Sequence, residues 1–174
     1  MMPTLLTRLD ARDRALFSRL VLDARRARRT RPLWTAITHL GGARGAIGAC
    51  LLALALPAVT VSMAWRALLV LGVSHLIVQL VKRSAVRPRP TVGQSFESLI
   101  AAPDRFSFPS GHACAAMAVA AAFGWAFPLL ALPLLAIALV VGLSRVVLGV
   151  HYPGDVLVGQ AIALLTAFAL LPRW

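Results

Sequence analysis

The hydrophobic positions of this chain fall into two regimes. Up to about residue 31, apolar and basic residues interleave. Leu16, Phe17 and Leu20 recur at spacings near three and four, with Arg12, Arg14 and Arg19 between them. That period predicts an amphipathic helix over 4–31, lying on a membrane surface. From residue 33 the pattern becomes a series of apolar runs. A membrane-crossing helix needs roughly 20 such residues. Five runs approach that length: 45–62, starting as early as Leu33 and kinked at Pro57, then 64–82, 112–127, 128–147 and 154–171. One long polar segment, 83–111, interrupts them, and long loops are often functional. In the third run Ala113, Ala116, Ala120 and Gly124 recur, small residues of the kind that let helix backbones approach in lipid. The expectation is an all-α integral membrane helical bundle of about five transmembrane helices plus an N-terminal amphipathic interfacial helix. Residues 1–32 form the basic surface segment and 33–174 the membrane domain.

Composition sharpens this picture. The chain is 59% hydrophobic and only 14% charged, against roughly 25% charged in soluble domains. The formal net charge of +12 is compatible with nucleic acid, anionic lipid head groups or a phosphorylated substrate. Position decides among them. The arginines cluster before residue 45 and between 82 and 105, as at the ends of membrane spans. With no nucleic-acid-binding motif or aromatic interleaving, nucleic acid is not an expected partner. Cys50 and Cys114 lie in apolar runs outside any CxxC or Cys/His cluster and read as buried thiols. The first thirty residues, with Asp10, Asp13 and Asp23 among many arginines, do not resemble a cleavable signal peptide. Trp34, Trp65, Trp125 and Trp174 fall near run ends, where interfacial aromatic anchors sit.

Ionisable residues at membrane depth are expensive and ask for an explanation. Three clusters stand out: Lys82 to Pro90 at the end of the second run, Pro109-Ser110-Gly111-His112 at the start of the third, and Ser144-Arg145 with His151 and Asp155 between the fourth and fifth. The third run leaves the surface where the first two clusters lie, and the fourth returns to it. All three clusters therefore meet on one face of the bundle. Singly, each has an ordinary reading: a head-group anchor, a serine-capped helix start, a hydrogen bond at a helix start. Arg145, inside an apolar helix, needs an anionic partner. Together they supply what phosphoryl transfer requires. Lys82, Arg89 and Arg145 bring positive charge, and arginine adds planar, bidentate donors. Ser110 brings a hydroxyl, Gly111 lets the backbone come close, and the helix start brings free N–H groups. Two histidines can act as nucleophile and general acid, and Asp155 can orient one imidazole.

These blocks resemble the three signatures of the type-2 phosphatidic acid phosphatase family, relatives of the vanadium haloperoxidases: Lys-x6-Arg-Pro, Pro-Ser-Gly-His and Ser-Arg-x5-His-x3-Asp. Here they read Lys82 to Arg89-Pro90, Pro109 to His112, and Ser144-Arg145 to His151 and Asp155. The resemblance implies a membrane lipid phosphatase that acts through a phosphohistidine. In it His151 attacks phosphorus, Asp155 positions His151, and His112 protonates the leaving oxygen and then activates water. Lys82, Arg89, Ser110, Gly111 and Arg145 hold the phosphate. No metal and no cofactor are implied, in keeping with a chain that has only six Asp and Glu and no carboxylate cluster in its sequence. The family usually has six spans, so five imply that the first is missing or replaced by the surface helix.

The remaining polar residues have weaker claims. His75 and Gln79 share a helical face with Lys82, either lining a lipid path or bonding between helices. Phe96 and Phe106 are candidate gates. The substrate candidates are polyprenyl phosphates or diphosphates, prenyl-linked phosphosugars, phosphatidic acid and phosphatidylglycerophosphate. With the catalytic cations set aside, Arg83, Arg87, Arg105 and the N-terminal arginines lie on the site's side, and Arg66 and Arg173 lie opposite. That places the protein in the cell membrane with its site facing the cytoplasm. Three rivals use the same basic residues: a non-catalytic anionic-lipid binder or transporter, a vanadate-dependent haloperoxidase, and a nucleic-acid module. Oligomeric state is not legible.

Overall fold

The computed structural model describes residues 5–22, 24–90, 98–102 and 104–171. Among them are the helices α1 (Leu5–Leu20), α2 (Ala24–Leu40), α3 (Ala43–Leu52), α4 (Val61–Ala85), α5 (Gly111–Ala126), α6 (Pro128–Val147) and α7 (Pro153–Leu170). The only extended pairing among the described residues is an isolated bridge between Pro88 and Phe106. Local chemistry sets the ends. The Thr60 side chain accepts from Met63 N–H and starts α4. Pro128 and Pro153 open α6 and α7, where a missing N–H has no cost. Val86 ends α4 in the left-handed region at φ 43°, an uncommon conformation for a β-branched residue. It turns the chain sharply into the segment that carries Arg87 and Arg89.

α5 is the central helix, packed against α3, α4, α6 and α7. Nine of its 16 residues are buried, most of them alanine, so neighbouring backbones come close. Ala113, Ala120 and Gly124 are buried as the small-residue pattern predicts. A Cβ on Gly124 would stand 3.1 Å from Ala131 Cα, which explains how α6 folds straight back along α5. The outer helices turn leucine outward: Leu129 is 96% exposed and Leu132 80%. An apolar surface of this kind is covered by a bilayer.

Three differences from the expected layout matter. α4, α6 and α7 are each long and apolar enough to cross a membrane, and α2 with α3 qualifies as a bent pair, which gives up to four spans among the described residues. α5 is apolar but has 16 residues, about 24 Å of helix. Second, the expected Pro57 kink is instead a bend of 61° between Arg29–Leu40 and Ala43–Ala55. It falls at Gly41 and Gly42, where a Cβ on Gly41 would lie 2.6 Å from the His112 carbonyl oxygen. Pro57 lies in the turn before α4. Third, the single helix expected over 4–31 is two. α1 ends at Leu20, and α2 runs unbroken across residues 32 and 33. α1 docks on the start of α7, where Phe17 is buried edge-on against Tyr152 with ring centroids 5.3 Å apart. Phe96, Arg173 and Trp174 lie outside the described residues.

Candidate active site

The three clusters meet at the end of the bundle where α4 finishes and α5 and α7 begin. Backbone bonds tie them together. Ser110 N–H donates to the Asp155 carbonyl at 2.9 Å, and Val150 and His151 N–H both donate to the Arg145 carbonyl, at 3.1 and 3.2 Å. Gly159 permits the first of these contacts, since a Cβ there would reach the Ser110 carbonyl at 2.4 Å. Lys82, Gly111, His112 and His151 line one cavity of about 550 Å³. Its polar rim also includes His75, Gln79 and Asp104, and its other wall is apolar, with Ile47, Leu68 and Leu71. His75 and Gln79 bond to each other within α4 at 3.0 Å, and among the described residues they form no bond to another helix.

Lys82 and Arg89 are buried and share Asp104. Lys82 Nζ lies 2.6 Å from Asp104 Oδ2, and Arg89 Nη2 lies 2.7 Å from Oδ1. Arg89 Nε also donates to the Asp104 carbonyl at 2.8 Å, and Nη1 to the Val150 carbonyl at 2.7 Å. Burial alone would raise the Asp104 carboxyl. The hydrogen bonds and charges of Lys82 and Arg89 outweigh it and hold the group below the usual carboxylate range.

Arg145 and Ser110 are placed differently. Arg145 Nη1 donates to Thr38 Oγ1 at 2.6 Å, while its Nε and Nη2 have no protein partner. No carboxylate pairs with it among the described residues. Ser110 stands at the N-cap of α5, yet its hydroxyl caps nothing and is likewise buried and unpartnered. The serine-cap reading is therefore wrong in detail. Buried donors left unpaired are costly and rare in folded proteins. The Arg145 charge acts on both histidine rings, although Ser110, Arg89 and Arg145 do not themselves line the cavity. Donors of this type suit an oxyanion.

His151 and Asp155 are fully buried. His151 Nε2 lies 3.3 Å from Arg89 Nη1. A guanidinium only donates, so Nε2 is the lone-pair nitrogen and Nδ1 carries the proton. Nδ1 faces Asp155 Oδ2 at 3.6 Å, longer than a hydrogen bond. Oδ2 accepts Tyr152 N–H at 2.8 Å, and Oδ1 accepts Arg87 Nη1 at 2.7 Å. Burial, joined by the charges of Arg145 and Arg89, pushes the His151 imidazole down to about 4 against the opposing pull of Asp155. The ring is therefore neutral at neutral pH.

Several residues here were not singled out in the sequence: Thr38, Asp104 and the group Asp10, Asp13 and Arg87. Arg87 read as a topological charge, but it ion-pairs with Asp10, Asp13 and Asp155. A carboxylate cluster thus exists in space where none exists along the chain, bridged by a guanidinium. Scarcity was the available signal: four of only six acidic residues gather at this end of the molecule.

The fold and site define an all-α, multi-pass membrane protein with a buried basic pocket at one end of its bundle. Within that class the chain belongs to the PAP2 superfamily, whose pattern matches residues 63–173. It is 39% identical over 103 residues to the lipid A 1-phosphatase of Rhizobium johnstonii, a stretch that is 54% of this chain and 42% of that protein. It is also 39% identical over 94 residues to the decaprenylphosphoryl-5-phosphoribose phosphatase of Mycobacterium tuberculosis, covering 52% and 49% respectively. The chain spans about half the length of the curated relatives it matches. The crystal structure of a transmembrane PAP2-type phosphatidylglycerolphosphate phosphatase from Bacillus subtilis superimposes with a TM-score of 0.74 at 26% identity, over 96% of this chain and 89% of that one.

Proposed function

We propose that this chain is a membrane lipid phosphatase that hydrolyses a phosphomonoester or diphosphate of a lipid through a phosphohistidine. The observation that carries the reading is the set of buried, unpartnered donors on Ser110 and Arg145, with the Arg145 charge acting on both histidines. The adjoining cavity has one polar rim and one apolar wall, which suits a lipid with a charged head. Its relatives named above act on lipid A and on a decaprenyl-linked phosphoribose. In this reading residues 33–174 carry the chemistry, and the 1–32 segment lies at the membrane surface.

His151 Nε2 attacks phosphorus, and the bond from phosphorus to the lipid oxygen breaks as that oxygen takes a proton from His112. Water, deprotonated by His112, then attacks phosphorus. The N–P bond breaks, its electron pair returns to Nε2, and phosphate leaves. Asp155 stabilises the charge that develops on His151. Lys82, Arg89, Ser110, Gly111 and Arg145 bind the equatorial oxygens, which gives the electrostatic stabilisation the transfer needs. Phosphate release should be measured from detergent-purified protein with a chelator present. The substrates to compare are polyprenyl phosphate and diphosphate, a prenyl-linked phosphosugar, phosphatidic acid and phosphatidylglycerophosphate. We expect release from at least one, with acid-labile phosphate trapped on the protein and both signals gone in H151A. Lipid binding without release would favour a non-catalytic binder. Release abolished by the chelator would overturn the mechanism.

The proposed location is the cell membrane, with the site on the cytoplasmic face. Arg83, Arg105 and the N-terminal arginines support it after Arg87 is removed from the count as a paired charge. Cysteines placed at positions 105 and 66 and labelled in intact cells test it. Labelling of 105 from outside would reverse the orientation.

A further inference from the structure

α1 lies outside the matched family region, yet it reaches the catalytic carboxylate through one side chain. Arg87 follows the left-handed turn at Val86 and points its guanidinium between three carboxylates. Nη1 meets Asp155 Oδ1 at 2.7 Å, while Nη2 meets Asp10 Oδ1 and Asp13 Oδ2, both at 2.8 Å. Its charge also lies 4.2 Å from the centroid of the Tyr152 ring. The second oxygen of Asp13, Oδ1, accepts Gly154 N–H at 2.7 Å in the first turn of α7. A Cβ on Gly154 would stand 2.8 Å from Asp13 Oδ2, so glycine is what allows this approach. Asp13 therefore holds both the arginine that contacts Asp155 and the backbone from which Asp155 projects.

We propose that α1 is a positioning element for catalysis: Asp10 and Asp13 hold Arg87 so that it fixes Asp155 against His151. The inference rests on the reading of His151 as the nucleophile. Asp155 is fully buried with one oxygen on Tyr152 N–H, so the direction of its other oxygen depends on Arg87. A guanidinium is rigid and planar, and holding one nitrogen with two carboxylates sets where the other lies. Without them Arg87, whose side chain is 19% exposed, is free to turn to water, and Asp155 Oδ1 loses its partner. The 3.6 Å gap between Asp155 and His151 is a distance that a small shift would close or widen. Positioning errors of this size are costly in catalysis.

The experiment compares full-length D10N/D13N, R87A and R87K with the parent protein in detergent. Three quantities are read: kcat, KM for the lipid substrate, and inhibition by inorganic phosphate. H151A is run in parallel. We expect D10N/D13N to lower kcat about tenfold while KM and phosphate inhibition stay within about twofold, because Lys82, Arg89 and Arg145 are untouched. R87K should resemble R87A, since charge without the fork does not restore the geometry. Adding D10N/D13N to R87A should lower kcat no further. Phosphate inhibition lost together with kcat would mean that α1 only holds the fold, and would overturn the proposal. So would unchanged kcat in D10N/D13N, multiplying losses in the triple variant, or rescue by R87K. Activity retained in H151A would instead sink the site assignment on which the proposal rests.

Discussion

Arg89 and Arg145 are buried to nearly the same degree, at 4% and 1% exposure, and are served in opposite ways. Arg89 has acceptors for Nε, Nη1 and Nη2, and Asp104 supplies a counter-charge it shares with Lys82. Arg145 has one neutral hydroxyl, Thr38, and two donors left over. A buried cation with a partner and full hydrogen bonding is tolerable, whereas one without them destabilises the fold by several kcal/mol. The basic cluster therefore has two halves, and of its cations only Lys82 lines the cavity. One half is already complete, so an anion of the kind proposed above would have to compete with Asp104 for it. The other half is complete only when an acceptor is present. On the proposed function, the uncompensated half is where stability has been given up for binding.

The largest effect that tests this contrast comes from Arg145→Met. It removes the unpaired donors and keeps similar bulk. Phosphate release should fall by about a thousandfold or more, on the order of 4 kcal/mol of transition-state stabilisation. The melting temperature in detergent should rise, because a buried charge with no counter-ion disappears. A variant that is inactive and also less stable would show that Arg145 is held by compensation the contrast does not include. A smaller effect is expected from Ser110→Ala. One neutral hydroxyl contributes about 1.4 kcal/mol, so kcat/KM should drop about tenfold. Stability should hold or rise, since the hydroxyl caps no backbone group. A stability loss above about 1 kcal/mol would return Ser110 to the role of an ordinary helix cap.

In both halves the motif residues were legible in the sequence and their partners were not. Ser110, Arg145, His151 and Asp155 carry fixed local spacings, and apolar runs locate the helix ends on which they sit. Lys82 and Arg89 were visible for the same reason. Asp104 was not, because it lies in the long segment between runs, where no period says which way a side chain turns. Thr38 was hidden by distance: it meets Arg145 across 107 positions, and no periodicity reaches that far. Asp10 meets Arg87 across 77 positions and Asp13 meets Gly154 across 141. An amphipathic pattern identifies a helix and its apolar face but does not say what that face docks on. Phe17 belongs to the apolar pattern that predicts a surface helix, and it packs on Tyr152. Hydropathy likewise found the apolar stretch from Leu33 onward but not its bend. At that bend Gly41 lies against the His112 carbonyl, a contact between elements distant in sequence.

The smallest expected effect is also the most discriminating, because it acts on the compensated half. Asp104→Asn removes the internal counter-charge but leaves Arg89 anchored through the backbone carbonyls of Asp104 and Val150. If Asp104 competes with the incoming anion, inorganic phosphate should inhibit D104N about three to five times more strongly, about 0.7–1 kcal/mol. The sign with pH follows from the depressed carboxyl. A group held below its ordinary value stays ionised as pH falls to that value and loses its charge only at more acid pH. The ratio between the parent protein and D104N should therefore be flat from about pH 5.5 to 8, because Asp104 is charged throughout. Weaker phosphate inhibition in D104N would mean that the carboxylate holds Lys82 and Arg89 in place for the substrate instead of occupying them. The two halves of the cluster would then differ in their partners but not in their readiness to bind.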